Sequence, residues 1–243
     1  MIIVDIGNTS LNYAIVKKGK IIKISQLKRE SINEEKIKAF LNRYHEENFL
    51  ICSVVLQITK TFKKFESKER KILVVGKDLK VPIKCFYNPK KIGMDRLVGA
   101  LAAKKTYPFS RIIIDCGTAI TFDFLSKRGD YLGGMILPGI GSTLKAFSCC
   151  ALLPKKIKLK DTKRIIPKET DESISKGIKE GFSSMLNSLV KKYKKILKLS
   201  YKEIPIITGG DALLIIPYLD FSYIYQPNLV LKGLYILSKN LTF

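Results

Sequence analysis

The sequence predicts an α/β protein made of two domains of related design. One observation is a repeated phrase: MIIVDIGNTSLNYAIV opens the chain and RIIIDCGTAITFDF follows from Arg111. Each is a β-branched run that reaches an Asp, skips one residue, meets a Gly and a Thr, and turns apolar again. A second is the order of elements, strands and then helices, which occurs twice, as in layered α/β folds. A third is the lack of any low-complexity linker between the halves, which favours packed domains with a cleft between them. The domains are placed at 1–108 and 109–243, and packing of the C-terminal helix back onto the first domain stays open.

The first phrase reads as strands over about 2–6 and 11–17 around a turn at Gly7–Ser10, with a third strand near 20–25. SINEEKIKAFLNRY carries a capping box from Ser31 to Glu34 and apolar residues at helical spacing, Ile37, Phe40, Leu41 and Tyr44. FLICSVV reads as a buried strand, 57–70 as a helix, and ILVVG as another strand. CFYNPKKIGMDRLVGALAAKKTYP is a loop entering a helix that stops before Pro108. From Arg111 the order restarts with strand, Gly turn and strand, followed by GDYLGGMILPGIGS, which is rich in Gly and Pro. A long helix over about 171–198, a strand at IPIITGG and a final helix after QPNLVLKG complete the chain.

The 243 residues suffice for real cores, and 46% hydrophobic beside 27% charged residues describes a soluble globular protein. The five cysteines form no CxxC and His45 is the one imidazole, so a zinc site is not expected. The thiols read as buried and reduced, which fits a cytoplasmic protein. No basic segment precedes the first strand, and no apolar run nears the roughly 18 residues of a membrane span, so neither a signal peptide nor a membrane association is expected. The net charge of +23 invites a nucleic-acid reading. Its lysines are spread, however, with denser stretches at KTFKKFESKERK, KKIKLKDTKR and KKYKKILK. The last falls on the solvated face of a helix whose apolar stripe is Phe182, Leu186, Leu189, Val190, Tyr193, Ile196 and Leu197. No specific nucleic-acid partner is expected.

An Asp-x-Gly-x-Thr turn at the end of a buried strand suits phosphate chemistry. Gly permits positive φ and close backbone approach. Turn N–H groups and hydroxyls then converge on phosphate oxygens, while the Asp holds a cation or its water beside them. A single such turn is commonly an ordinary hairpin, but two at corresponding positions can grip one triphosphate. GxxxxGK[ST] and GxGxxG are both absent, so P-loop and dinucleotide folds lose their usual support. PGIGST, with two glycines of such a pattern, carries little weight.

Paired hairpins plus the late IITGGDA resemble the actin, hexokinase and acetate-kinase superfamily. Within it, DIGNTS, YNPKKIGMDR, DCGTAITFD, YLGGMILPGI, ETDESISKG, TGGDA and PNLVLKGL are similar, in order, to the type III pantothenate kinases. The resemblance covers nearly the whole chain, and GxDR followed by DxGTAxT is its most discriminating pair. It implies two ribonuclease-H-like (actin-like ATPase) domains, each a mixed sheet with helices, and ATP in the cleft. It implies phosphorylation of pantothenate, Mg²⁺ with ATP, a monovalent cation such as K⁺ or NH4⁺, and a homodimer.

Carried over residue by residue, Asp5, Ile6, Gly7, Asn8, Thr9, Ser10, Leu11 and Asn12 form the first ATP hairpin, with Asp5 near Mg²⁺. Thr118 serves ATP in the second hairpin, and Asp115 holds the monovalent cation or a magnesium-bound water. Gly93, Met94, Asp95 and Arg96 form the substrate segment, and Asp95 is the proton acceptor. On residues alone, Asp95 also reads as a structural acid in the first turn of a helix, and Arg96 as an exposed helix residue. Thr170 matches a substrate contact and equally reads as the N-cap of the long helix. The TGGDA backbone passes the adenosine or simply ends a strand. Two departures stand out. Phe86 takes the place of a Tyr two residues before Asn-Pro, with Tyr87 beside it, and Glu169 replaces the Asn before Thr170. Two alternatives stay open: a kinase of another small hydroxyl or carboxylate, and a non-catalytic regulator of transcription.

Overall fold

The computed structural model describes residues 1–88, 90–147, 149, 150, 157, 159, 160 and 164–241. In chain order the elements are β1 (Ile2–Ile6), β2 (Ser10–Lys17), β3 (Lys20–Lys28), α1 (Glu34–Arg43), β4 (Phe49–Ser53), α2 (Leu56–Lys63), β5 (Ile72–Val74) and α3 (Met94–Thr106). Then follow β6 (Ile112–Cys116), β7 (Ala119–Leu125), β8 (Tyr131–Pro138), α4 (Ile140–Phe147), α5 (Thr170–Ile196), β9 (Ile206–Thr208), α6 (Ala212–Ile215), β10 (Ile224–Tyr225) and α7 (Leu229–Ser238). The backbone forms two compact units. The first is Met1–Pro108 with Arg128–Leu132 and Asn228–Phe243, and the second is Phe109–Lys127 with Gly133–Pro227. A single cut after residue 108 therefore misplaces two segments, because 128–132 and the C-terminal helix pack with the first unit.

The first unit is a five-stranded sheet in the order β3-β2-β1-β4-β5. β1 runs antiparallel to β2 and parallel to β4, and β4 runs parallel to β5. Alternation of side chains along each strand splits its apolar residues between two faces. Ile2, Val4 and Ile6 of β1 join Phe49 and Ile51 of β4 in one core, closed by Ile37 and Leu41 of α1 and Ile58 and Phe62 of α2. Ile3, Leu50 and Cys52 join the other, closed by Val98 and Leu101 of α3 and Leu231, Leu234 and Leu237 of α7. The two helices approach closely at Gly233, where a Cβ would run into the Val98 carbonyl and lie 2.6 Å from its Cγ1. α3 is buried from Arg96 through Ala103, as expected of a helix apolar all round.

The second unit repeats the plan as β10-β9-β6-β7-β8. β6 is antiparallel to β7 and parallel to β9, and β9 is parallel to β10. In both units a central strand pairs a hairpin partner on one side and a parallel crossover strand on the other. Ile112, Ile114, Phe122 and Phe124 pack against Ile174, Ile178, Leu186 and Val190 of α5, and Phe124 stacks on Tyr193 with centroids 4.3 Å apart.

Several local expectations change. α1 is not capped by a Ser31–Glu34 box: its N-cap is Asn33, whose side chain accepts the Lys36 N–H at 2.9 Å. Ser31 lies in a 3-10 turn and donates to the Lys28 carbonyl instead. The helix expected over 57–70 ends at Lys63, because Glu66 turns back to accept the Ile72 N–H at 3.0 Å and pairs with Lys63 at 3.1 Å. The Gly- and Pro-rich stretch hides β8, in which Met135 and Leu137 face the core while Ile136 faces out. Ile196 is exposed rather than part of the apolar stripe. Cys52 and Cys116 are buried, but Cys149 and Cys150 are exposed. Most of the basic stretch 155–164 lies outside the described residues. Among the described residues no helix is long and apolar enough to cross a membrane.

The reassigned cap is testable by denaturant unfolding. Asn33→Ala is expected to cost about 1 kcal/mol, whereas Ser31→Ala should stay within about 0.5 kcal/mol of the parent protein.

Candidate active site

In the first unit the β1–β2 turn closes with the Gly7 N–H donating to the Ser10 carbonyl at 2.9 Å, and Asp5 pairs across to Asn12. Arg29 braces the turn, its backbone N–H on the Thr9 carbonyl at 3.0 Å and its guanidinium on the Asn8 carbonyl at 3.2 Å. Asn8 and Thr9 are exposed at the tip, and Gly7 and Ser10 are half-buried. Ile6 and Leu11 are core residues, so only their backbones face the turn. The alternation that buries Ile3 under α3 and α7 puts Asp5 on the same face, beside Cys52 of the parallel neighbour β4.

Gly93 is the N-cap of α3 and Asp95 lies in its first turn. Asp95 Oδ1 accepts the Arg96 N–H at 2.9 Å, and a Cβ on Gly93 would collide with that same oxygen. Burial pushes the Asp95 carboxyl above the usual carboxylate range, partly offset by the Arg96 N–H and the Arg96 charge. Cys52 reports on the local field. Its thiol is pushed well up by burial, and then by the negative charges of Asp5 and Asp95. Geometrically, Asp5 and Cys52 are register partners on the sheet face that α3 covers, and Asp95 lies in the first turn of that helix. Met94 packs over Gly76, which has φ +87° and no room for a Cβ (Met94 Sδ would lie 2.7 Å away).

Arg96 is buried, not an exposed helix residue. Its guanidinium lies over the Tyr87 ring at 6.0 Å and the buried Tyr131 ring at 5.9 Å from the centroids. Residues 84–87 run extended beside Tyr131, with the Phe86 N–H on the Tyr131 carbonyl at 2.9 Å. Successive side chains then point oppositely. Tyr87 turns to Arg96, while Phe86 is 59% exposed with Lys84 Nζ 4.8 Å over its ring. The structure thus brings Tyr87, and not Phe86, to Arg96. The parity of the extended segment was the signal that could have distinguished them.

In the second unit Gly117 and Thr118 form the β6–β7 turn, with the Gly117 N–H on the Ala119 carbonyl at 3.1 Å. Asp115 is half-buried and Thr118 exposed. Neither Gly7 nor Gly117 adopts positive φ, and a Cβ on either would meet nothing nearer than 3.5 Å. Backbone torsion is therefore not why these turns hold glycine. The strained glycine is Gly209 of TGGDA, with φ +94°, where a Cβ would strike Asp115 Oδ1 and the Cys116 carbonyl. Asp211, unassigned from sequence, donates its N–H to the Cys116 carbonyl at 2.9 Å. Its carboxyl is pushed up by burial and accepts the Gly141 N–H. The Cys116 thiol is pushed up to about 12 by burial and then by Asp115 and Asp211.

Thr170 is the first residue of α5, exposed, and not its N-cap; that position belongs to Glu169, whose side chain makes no cap bond. A cavity of about 530 Å³ lies between α4 and α5, lined by Phe147, Ile174, Ile178, Phe182 and Met185 among others. Among the described residues its lining carries no charged side chain. Among the described residues no three His, Cys, Asp or Glu side chains gather to hold a metal by themselves.

The family model for type III pantothenate kinase matches residues 1–192. The type III pantothenate kinase of Persephonella marina is 34% identical over 258 residues, covering 96% of this chain and 95% of that protein. That of Thermosipho africanus is 33% identical over 250 residues and covers 99% of each. Among solved structures, a Campylobacter jejuni protein described as a Baf family transcriptional activator has a TM-score of 0.61 at 23% identity, covering 99% of this chain and 100% of its own. A Sinorhizobium meliloti protein described as a 2-dehydro-3-deoxygalactonokinase has a TM-score of 0.60 at 10% identity, covering 100% and 98%. The Clostridium difficile activator of 2-hydroxyisocaproyl-CoA dehydratase has a TM-score of 0.55 at 12% identity, covering 100% and 98%. At such identities these structures speak to fold alone, the actin-like ATPase and sugar-kinase architecture of two ribonuclease-H-like halves. The family model and the near full-length relatives establish that the chain belongs to the type III pantothenate kinase family.

Proposed function

We propose that this chain transfers the γ-phosphoryl group of ATP to the primary hydroxyl of pantothenate, giving 4′-phosphopantothenate, the first step of coenzyme A biosynthesis. Family membership supports the substrate. The geometric observation that carries the chemistry is the register that sets Asp5 of the hairpin beside Cys52, on the sheet face covered by α3, whose first turn carries Asp95.

The roles follow from chemistry. The residues from Asp5 to Asn12 offer turn N–H groups and the Thr9 and Ser10 hydroxyls to ATP, and Thr118 offers its hydroxyl from the other hairpin. Asp95 orients the acceptor hydroxyl. As the new O–P bond forms and the bond to ADP breaks, the hydroxyl proton passes to Asp95 Oδ2, since Oδ1 holds the Arg96 N–H. A loose transition state asks for that proton late, and a carboxyl raised by burial is a better base than an exposed one. Gly93, Met94 and Arg96 shape the acceptor pocket, and Thr170 contacts substrate. Mg²⁺ travels with ATP near Asp5 and offsets phosphate charge, and Asp115 takes K⁺ or NH4⁺. The active form is a homodimer, checked by sedimentation equilibrium.

Purified protein with ATP, Mg²⁺ and K⁺ is expected to convert pantothenate to its phosphate, read by mass spectrometry against a panel of sugars and carboxylates. Phosphorylation of another acceptor in its place would select the alternative kinase reading. Tight, sequence-dependent duplex binding at physiological salt without turnover would select a regulator. Asp95→Asn should lower kcat by about 10²-fold or more while keeping ATP affinity.

The same variant should unfold at higher temperature at neutral pH. The folded protein holds the Asp95 proton to higher pH than the unfolded chain, so ionising this carboxyl costs stability as pH rises above the ordinary value of 3.8. The gain from Asn should shrink to nothing as pH falls below that value. For the acceptor, Tyr87→Ala should raise KM for pantothenate about tenfold by releasing Arg96, and Phe86→Ala should change it less than about twofold. Equal effects from both would reject the assignment of Tyr87.

A further inference from the structure

Three segments of the second unit meet at the β6–β7 turn, and one of them, Pro138–Ser142, which passes from the end of β8 through Gly139 into the first turn of α4, has no role in the reading above. Two donors from this segment converge on the Thr118 carbonyl: the Gly139 N–H at 3.1 Å and the Ser142 hydroxyl at 2.7 Å. Contact is so close that a Cβ on Gly139 would run into the Gly117 carbonyl and lie 2.6 Å from that of Thr118. The segment is itself held from the third, where the Asp211 carboxylate accepts the Gly141 N–H. The Asp211 N–H closes the ring by donating to the Cys116 carbonyl at 2.9 Å.

We propose that Asp211 and Ser142 are positioning residues that fix the Thr118 turn in the orientation that meets the nucleotide. The proposal rests on the assignment of Thr118 to ATP. A two-residue turn with an exposed tip has little packing to hold it, and its peptide plane is free to rotate unless the carbonyl is pinned. Here that carbonyl has two donors, and Gly141, one of the two residues between them in sequence, is tethered by Asp211. The Thr118 hydroxyl is thereby presented from a rigid base, as a preorganised site requires. Asp211 touches neither nucleotide nor acceptor in this scheme; it acts through Gly141 and Ser142.

The test is ATP binding by calorimetry with Mg²⁺, alongside steady-state kinetics in ATP and in pantothenate. Asp211→Ala should weaken ATP binding and raise KM for ATP about tenfold, the loss expected for a hydrogen bond to a charged acceptor. Its kcat at saturating ATP and its KM for pantothenate should stay within about twofold. Asp211→Asn keeps an acceptor oxygen and should restore ATP affinity to within about threefold of the parent. Ser142→Ala should weaken ATP binding in the same direction. Ser110→Ala, which removes a buried bond to the Ile204 carbonyl in the same unit, should lower the melting temperature and leave KM for ATP unchanged. If Asp211→Ala binds ATP like the parent, or if Ser110→Ala raises KM for ATP equally, the positioning role is wrong. If the parent protein itself does not bind ATP, the nucleotide assignment falls and the positioning role with it.

Discussion

The constraint on which the structure depends is the placing of carboxylates at the ends of apolar sheet faces. Strand alternation commits β1 to Ile2, Val4 and Ile6 on one side, so Ile3 and Asp5 must share the other. The same parity in β6 sets Ile112, Ile114 and Cys116 on one side and Ile113 and Asp115 on the other. Each unit adds a second carboxylate from a loop or helix start, Asp95 in the first and Asp211 in the second. Burial drives the Cys52 thiol well up and the Cys116 thiol up to about 12, and each carboxylate pair adds to the shift in the same direction. An uncompensated charge in such a place is costly, and hydrogen-bond donors and nearby positive charge, such as the Arg96 guanidinium beside Asp95, offset it. The N–H donors are present at Asp95 and Asp211.

This local sign contrasts with the molecule as a whole. A net charge of +23 attracts polyphosphate to the surface, yet each hairpin carries a carboxylate at its strand end, Asp5 in one and Asp115 in the other. In the function proposed above, cations resolve the conflict, since they bind both a carboxylate and a phosphate. That is why metal chemistry is expected here although no protein-only metal cluster exists among the described residues. The surface charge and the site charge do different jobs, and neither argues for a specific nucleic-acid partner.

What was legible in the sequence was what repeats or alternates. The doubled Asp-x-Gly phrase disclosed two matching sheets, and apolar periodicity disclosed α3, α5 and the strands around Asp5 and Asp115. What stayed hidden depended on tertiary choice. Asn33 and Ser31 are comparable caps, and only the chain path beyond β3 decides between them. β8 was obscured because Gly133 and Gly134 interrupt its alternation. The turn glycines invited a torsional argument that their φ angles do not support, whereas Gly209, Gly139 and Gly93 are demanded by contacts distant in sequence or set by a neighbouring carboxylate. Asp211 could not be found by spacing, since its partner is a backbone N–H seventy residues earlier.

The Asp95 environment shows why function and stability pull apart at this site. Gly93 is a poor residue on entropic grounds, yet any side chain there would displace the oxygen that caps Arg96. Burial raises the Asp95 carboxyl and so destabilises its charged form, while the Arg96 N–H and guanidinium limit the penalty. Arg96 is in turn buried between Tyr87 and Tyr131 rather than left to water. Arg is a good helix former and an Asp in the first turn is favoured by the helix dipole, so what sets this site apart is the burial of Arg96 and the carboxylate held partly dry beside it.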